Sequence, residues 1–504
     1  MMSGREAPAR RERRPDRRRV DGAAIVLVVA GVAFRCRLAW GPLGHPSSDE
    51  AVVGLMALEL LRHGHLHAFY WGQSYGGSLE AILVAPWLAL FGTNTFALKL
   101  TSVLAGLVAA GLTWRIAGHL FGPAVARWVG ILSLFWPAPL VWFGTKEAGF
   151  YPVTAALGLF VVLMAVNIDE RPSRRRLWLG LGFAAGVGWW MSPNIAYYAL
   201  PMALWLVVRG HARRVRNVAI ASGAVVAGGA VWIGANVLSG FDSLHAPAAW
   251  AGSSTFVSRF GFFWRAGLPF GLGLRQPFGS AWYGGRYIGF TLFVAVLAGV
   301  AFACCRMFHS RVTNLFVPDL FLFAAAPFVY ATFIGNWHLF EGRYTYFVAS
   351  FLPLVLGRVV QLPWRSGVVV VLVVAIVPGV AFLRDDDHNR STIGPTTVPI
   401  AHALERAGVH TAVAPYAVAY QLTFESDERV IAAPITDDRY PPYRARVRRS
   451  SPAYVFYASD PASVHTLRHT LAATHIGSRT IRAGAFVAVV PDRRYVSPAL
   501  AGPG

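Results

Sequence analysis

Long apolar runs recur along this sequence, each close to the ~20 residues a helix needs to cross the hydrocarbon core of a bilayer. They lie near residues 22–40, 97–117, 123–143, 151–168, 177–191, 194–208, 217–238, 287–305, 317–335, 344–360 and 367–383. One water-solvated core cannot bury so many. The chain is 55% hydrophobic and only 14% charged, where an ordinary soluble domain carries about 25% charged residues. A bilayer removes the conflict, because lipid-facing side chains are as apolar as core ones and helices satisfy their own backbone hydrogen bonds. The expected fold is mostly α, a polytopic transmembrane helical bundle of about 11 spans. The runs around Trp190 to Ile195 are short enough to read as broken or tilted helices.

The formal net charge of +21 points first to nucleic acid, but its distribution argues against such a partner. Residues 1–20 carry eight arginines against three acids, whereas residues 384–504 are nearly balanced, with 14 arginines and 11 acids. Elsewhere the positive charge gathers in short connections. Asp169–Arg176 and Arg209–Arg216 hold four arginines each and Cys304–Arg311 holds two, while 144–150 and 336–343 hold one basic residue each. Under the positive-inside rule this places the N-terminus in the cytoplasm and the C-terminal domain outside a plasma membrane. The run Ala23–Ala33 resembles a signal peptide, but Phe34, Arg35 and Arg37 interrupt it and no small-residue cleavage pattern follows. It reads as a retained signal-anchor. Cys36, Cys304 and Cys305 suggest neither a disulfide nor a metal site.

The domain organisation expected is a basic cytoplasmic tail (1–21), a transmembrane domain (22–385) and an extracytoplasmic α/β domain (386–504). Two long outer loops, 41–96 and 239–287, interrupt the membrane part. In the outer domain Ile400–Ala407 and Asp460–His475 read as helices, the second with Asp460 as N-cap and Pro461 at the first helical position. Thr411–Ala414, Val430–Ala433, Tyr454–Tyr457 and Ala485–Val490 read as strands, and the alternation indicates a small α/β fold. Tyr440-Pro441-Pro442-Tyr443 reads as a rigid turn. No glycine-rich nucleotide fingerprint is present and no cofactor is expected.

The most informative stretch is His45-Pro46-Ser47-Ser48-Asp49-Glu50-Ala51, just past the first span. A helical pattern follows to Arg62, with Val52, Val53, Met56 and Leu60 on an apolar face suited to the membrane surface. One reading of the acids is structural. Ser47 and Glu50 fit a capping box, and Asp49 suits the positive end of the helix dipole. The other is chemical. An acceptor hydroxyl is a weak nucleophile and gains from a carboxylate that takes its proton during attack. The box does not need Asp49, which makes it the stronger candidate base, with Glu50 beside it.

The Asp49-Glu50 pair after the first span resembles the signature of the GT-C glycosyltransferases. The branch it looks most like is glycosyltransferase family 39 with its bacterial relatives, among them protein O-mannosyltransferases and the lipid A aminoarabinose transferase. In that family the aspartate is the proposed catalytic base, which implies the role for Asp49. The resemblance continues through Tyr70-Trp71-Gly72-Gln73-Ser74-Tyr75-Gly76-Gly77-Ser78-Leu79-Glu80 and spans most of residues 20–385. It implies no metal. The aminoarabinose branch uses a lysine in the equivalent loop to hold the donor phosphate. This chain has no lysine or arginine between Arg62 and Lys99, so phosphate recognition must come from elsewhere.

Other candidates fall on the same predicted face. Lys146 and Glu147 occupy the connection 144–150, and His338, Glu341, Arg343 and Tyr344 another, beside Trp337. A departing phosphate needs a cation as its charge grows. Arg343 leads for its two-point geometry, then Lys146; the alternative is that both anchor helix ends at the headgroups. Tyr70, Gln73, Tyr75 and Glu80 suit sugar hydroxyls and Trp71 a sugar face, with an aromatic interface belt as the alternative for the rings. His63, His65 and His67 read as a polar loop rather than a metal site. The arginines of 239–287 suit either a cover for the donor lipid or an interfacial helix pair.

The expected activity is transfer of a hexosyl or pentosyl unit from a polyprenyl-phosphate sugar to an extracytoplasmic protein, lipid or glycan. The alternatives are a transporter or flippase for a lipid-linked sugar, a surface-glycan polymerase or ligase, and a non-catalytic scaffold.

Overall fold

The computed structural model describes residues 22–41, 44–147, 149–245, 255–276, 281–309, 317–332, 342–361, 364–384 and 394–496. The candidates His338 and Glu341 lie outside them.

Every predicted apolar run is mostly helical where it is described. The bundle comprises α1 (Gly22–Trp40), α4 (Thr95–Phe121), α5 (Pro123–Phe135), α6 (Ala138–Phe143), α7 (Tyr151–Glu170), α8 (Arg175–Met191), α9 (Ala196–Val208), α10 (Val215–Gly228), α11 (Ala230–Ser239), α12 (Phe256–Phe262), α13 (Leu268–Gly271), α14 (Arg286–His309), α15 (Pro318–Thr332), α16 (Tyr346–Val360) and α17 (Trp364–Arg384). Two runs expected as single spans are interrupted. Residues 123–143 form two helices with the Trp136-Pro137 step between them, where proline cannot donate to the helical ladder. Residues 217–238 bend by 59° between α10 and α11, at Gly229. Among the described residues three helices, Thr95–Phe121, Tyr151–Glu170 and Arg286–Phe308, are long and apolar enough to cross a membrane alone, and the bent pair would make a fourth.

Glycine lets the helices approach closely, as membrane helices favour. A Cβ built on Gly182 or Gly186 of α8 would stand 2.1 or 2.2 Å from the carbonyl oxygens of Ala221 or Val225 on α10. Within the bundle the buried Asp319 carboxylate receives Nε and Nη2 of Arg358 at 2.8 and 2.9 Å, and the guanidinium lies 4.7 Å over the Phe121 ring. This pair ties α15 to α16 and neutralises its own charge.

Between α1 and α4 the chain builds two further helices, α2 (Ser48–His63) and α3 (Leu79–Phe91). The sequence reading did not separate α3, whose apolar residues merged with the aromatic loop before it. Most of α2 is buried, from Ser48 to Glu59 with only Asp49 partly open. Protein covers it on both sides, so its apolar face serves packing.

The C-terminal domain is α18 (Val398–Arg406), β1 (Thr411–Ala414), α19 (Tyr416–Glu425), β2 (Ile431–Pro434), α20 (Pro441–Arg448), β3 (Ala453–Tyr457), α21 (Pro461–Ala473), β4 (Ser478–Ala483) and β5 (Phe486–Pro491). The sheet order is β2-β1-β3-β5-β4. β1 runs parallel to β2 and β3, while β5 pairs antiparallel with β3 and β4. The α/β reading therefore holds. Asp460 caps α21 through Ser463 N at 3.2 Å. The Tyr440–Tyr443 turn is the start of α20, with Tyr440 as its N-cap; α19 and β4 went unseen.

One apolar cluster runs from α2 and α3 into this domain and contains Val52, Leu55, Tyr420, Phe424 and Tyr443. Polar contacts rim it. Arg62 donates to Asp427 at 2.5 Å and to Glu428, and Tyr440 donates to Glu59 at 3.0 Å. The closest approach is at Gly54, where an added Cβ would meet the Phe424 ring at 2.4 Å.

Gly54 therefore tests the docking. Gly54→Ala should lower the thermal midpoint, and Gly54→Val should lower it further, by an overpacking cost of about 1–3 kcal/mol. Limited proteolysis should release the C-terminal domain faster in both variants.

Candidate active site

The site begins where α2 starts. Ser47 caps the helix, and Oε2 of Glu50 receives Ser47 N at 2.8 Å and Ser47 Oγ at 3.0 Å. The other oxygen reaches away from the helix. Glu50 Oε1 accepts Lys99 Nζ at 2.6 Å and Glu147 N at 2.9 Å. One carboxylate thus joins α2, α4 and the 144–150 connection, and both Glu50 and Lys99 are fully buried. Burial alone would raise the Glu50 pKa. The charges of Lys99 and Lys146, with the Lys99 and Ser47 hydrogen bonds, outweigh it and hold Glu50 below the usual carboxylate value.

A second carboxyl pair lies beside the first. Glu147 Oε2 accepts Ser102 Oγ at 2.6 Å. Glu80 Oε2 accepts Phe150 N at 2.5 Å, at the start of α7, where a helix dipole favours negative charge. The two carboxyl groups also meet each other. Burial raises the Glu80 pKa to about 7. Burial and the charge of Glu80 push Glu147 well above its ordinary value. At neutral pH the pair keeps a proton. Lys146 is buried, 5.2 Å over the Trp142 ring, and faces this layer rather than a lipid headgroup.

Asp49, next to Glu50, is partly open. Its Oδ1 accepts the Tyr416 hydroxyl at 2.6 Å, and its carbonyl accepts the Tyr70 hydroxyl at 3.0 Å. Ser48 Oγ donates to the Tyr416 carbonyl. The Arg439 guanidinium lies 5.5 Å over the Tyr416 ring and within electrostatic reach of Asp49. Tyr416 and Arg439 come from the C-terminal domain, so both parts of the fold build this corner. Sequence reasoning missed them, as neither lies in a motif. Lys99 carried a signal, because a lone lysine in an apolar run needs a buried partner.

The remaining candidates separate. Trp71 stacks on Tyr440 at 3.9 Å with a 10° tilt, so a protein ring occupies the face assigned to sugar. Gln73, Tyr75 and Tyr344 are partly exposed. Arg343 belongs to a 3-10 turn, Gly342–Thr345. His65 bonds Glu59 at 2.9 Å and His63 stands 3.9 Å from the same carboxylate, whereas His67 turns toward Trp71 and Tyr440. Among the described residues no group of three His, Cys, Asp or Glu side chains is arranged to hold a metal.

Comparison with known proteins adds the fold. The family model for dolichyl-phosphate-mannose-protein mannosyltransferases matches residues 80–233. No curated protein sequence matches the chain. Among solved structures it is similar to ArnT from Cupriavidus metallidurans bound to undecaprenyl phosphate, with a TM-score of 0.67 at 13% identity over 95% of this chain and 100% of that one. The apo form of ArnT gives 0.63 at 14% identity, covering 96% and 100%. The Archaeoglobus fulgidus oligosaccharyltransferase in complex with zinc and sulfate gives 0.52 at 12%, covering 91% and 72%. At these identities the likeness shows the fold. That fold is shared with ArnT over nearly the whole of both chains, as the resemblance read in the sequence implies. The chain is a membrane protein.

The Glu80–Glu147 pair makes stability depend on pH. Its folded pKa values are raised, so its contribution is intact below the ordinary glutamate value of 4.5 and is lost as pH rises through about 7. The thermal midpoint should fall over that window, and Glu147→Gln should flatten the fall. A wild-type slope in Glu147→Gln would place the titration elsewhere.

Proposed function

We propose that this chain is a glycosyltransferase that moves a monosaccharide from a polyprenyl-phosphate donor to an acceptor hydroxyl on the non-cytoplasmic face of the plasma membrane. The observation that carries the reading is the division of labour between adjacent acids. Glu50 is enclosed and held by four hydrogen bonds, while Asp49 opens at the junction of bundle and soluble domain. Tyr416 fixes its orientation through Oδ1.

In the proposed reaction Asp49 takes the acceptor proton as the acceptor oxygen attacks the anomeric carbon. The bond from that carbon to the phosphate oxygen breaks on the opposite side, and polyprenyl phosphate leaves with the electron pair. Configuration inverts. Asp49 is the catalytic residue, and Glu50, Lys99 and Glu147 position it. The lipid tail of the donor explains why the catalyst is embedded in a bilayer. Residues 1–21 then lie in the cytoplasm and 386–504 outside, where Tyr416 and Arg439 border the acceptor path. Support comes from the family match over 80–233 and the fold shared with a protein solved with undecaprenyl phosphate.

Asp49→Asn should reduce transfer by about 100-fold or more with an unchanged thermal midpoint. Tyr416→Phe should lower kcat less, because it loses orientation but keeps the base. The assay is donor consumption by purified protein in detergent, where transport alone yields no product. Wild-type turnover by Asp49→Asn ends the assignment.

A further inference from the structure

The C-terminal domain is nearly balanced in charge, but the two signs lie apart. Several of its acids are engaged within the fold. Asp427 and Glu428 hold Arg62 of α2, Glu425 accepts Thr397 N at 2.6 Å, and Asp438 accepts the Tyr420 hydroxyl at 3.3 Å. At the opposite edge of the sheet positive side chains stand alone. There α21 packs on β3 and β5, with Leu471 its only buried residue, and β4 is an edge strand paired with β5. The gap between α21 and β4 is a cleft of about 850 Å³.

His465, Arg468 and His469 line this cleft from α21, and Arg482 lines it from β4. Among the described residues none of these four side chains has an ion pair or a hydrogen bond. No acid lines the cleft. Asp460, beside it, caps α21, and Asp492 reaches toward Gly477. Such a lining selects an anion. Guanidinium groups keep their charge and match carboxylate or phosphate oxygens two at a time.

The surrounding surface narrows the kind of anion. Among the described residues of 394–496 no large apolar side chain is exposed. A protein partner docks on apolar and aromatic anchors, and a lipid surface takes up inserted apolar side chains. The domain offers neither, whereas a hydrophilic polyanion needs only charge and polar contacts.

The arrangement also points to a chain rather than a single ion. α20 packs on β1 and β2 and shares one apolar cluster with α21 through Tyr443, Val447 and Leu467. Its Arg446, Arg448 and Arg449 are exposed, and it begins beside Arg439, at the Asp49 corner. Basic groups therefore run from the cleft across α20 toward Asp49. Four strand spacings separate β4 from β2, roughly 19 Å, which is more than one small anion covers.

We propose that the cleft between α21 and β4 binds an anionic glycan, one that bears carboxylate or phosphate groups, and that this glycan is the acceptor whose far end reaches Asp49. The acceptor role rests on the glycosyltransferase reading above; the binding of an anionic glycan rests on the cleft. Each exposed contact is weak and screened by salt, and a chain that meets several at once gains from their number.

The test measures binding to the full chain in detergent by fluorescence anisotropy. The labelled probes are an oligogalacturonate, a ribitol-phosphate oligomer, a neutral maltooligosaccharide and a glutamate oligopeptide, all of matched length. At least one anionic glycan should bind the wild type and Asp49→Asn alike, with an affinity that falls as salt rises, and the neutral glycan should not bind. The tighter of the two tells carboxylate from phosphate. Arg468→Gln combined with Arg482→Gln should weaken binding by about fivefold or more at an unchanged thermal midpoint, since neither side chain is paired in the fold. Wild-type affinity in that double variant, or binding of neither anionic glycan, overturns the site. Tighter binding of the glutamate peptide than of either glycan makes the ligand an acidic peptide and overturns the proposal. Arginine-dependent glycan binding in a protein that turns over no polyprenyl-phosphate sugar keeps the cleft and sinks the acceptor role together with the glycosyltransferase reading.

Discussion

The buried ion pair between Glu50 and Lys99 sets the geometry on which the rest depends. Taking two charges out of water costs several kcal/mol per ion, and the attraction repays it only when the geometry is good and the remaining valences are filled. Here they are. The carboxylate also accepts the Ser47 amide and hydroxyl and the Glu147 amide. Such a pair adds little net stability compared with apolar residues, but it permits few alternative arrangements. It locks the start of α2 against α4 and fixes the 144–150 connection. Asp49, one residue earlier, therefore has a defined position although its own side chain is partly open.

The C-terminal domain completes this arrangement from the other side. It is joined to α2 by shared apolar core, by the Phe424 ring on Gly54 and by the Tyr416 hydroxyl on Asp49. An acceptor approaching Asp49 meets side chains from both parts. In this account the domain shapes the acceptor's entry, and the bundle handles the lipid. Both converge on one carboxylate at the boundary between them.

Much of this was legible in the sequence because it is local. Apolar runs of span length gave the helices, and Ser47 with Glu50 gave the capping box. Asp460-Pro461 gave the start of α21. What depends on distant neighbours was not legible. Glu50 reads equally as cap and as base until Lys99 is seen beside it. Trp71 reads as a sugar platform until Tyr440 stacks on it. Tyr416 and Arg439 lie more than 350 residues from Asp49, and no local pattern singles them out. The breaks at Trp136-Pro137 and Gly229 fell inside runs whose apolar composition is continuous.

The central claim is that two neighbouring acids have separate tasks, Glu50 holding the fold and Asp49 performing the chemistry. The most direct measurement is an electron cryomicroscopy structure of the Asp49→Asn chain with a bound polyprenyl-phosphate sugar. The account predicts the anomeric carbon facing position 49 with space for one acceptor oxygen between them, and Glu50 still closed on Lys99. An anomeric carbon seated against Glu147 or Glu80, or a Glu50 released from Lys99 toward the sugar, would contradict it.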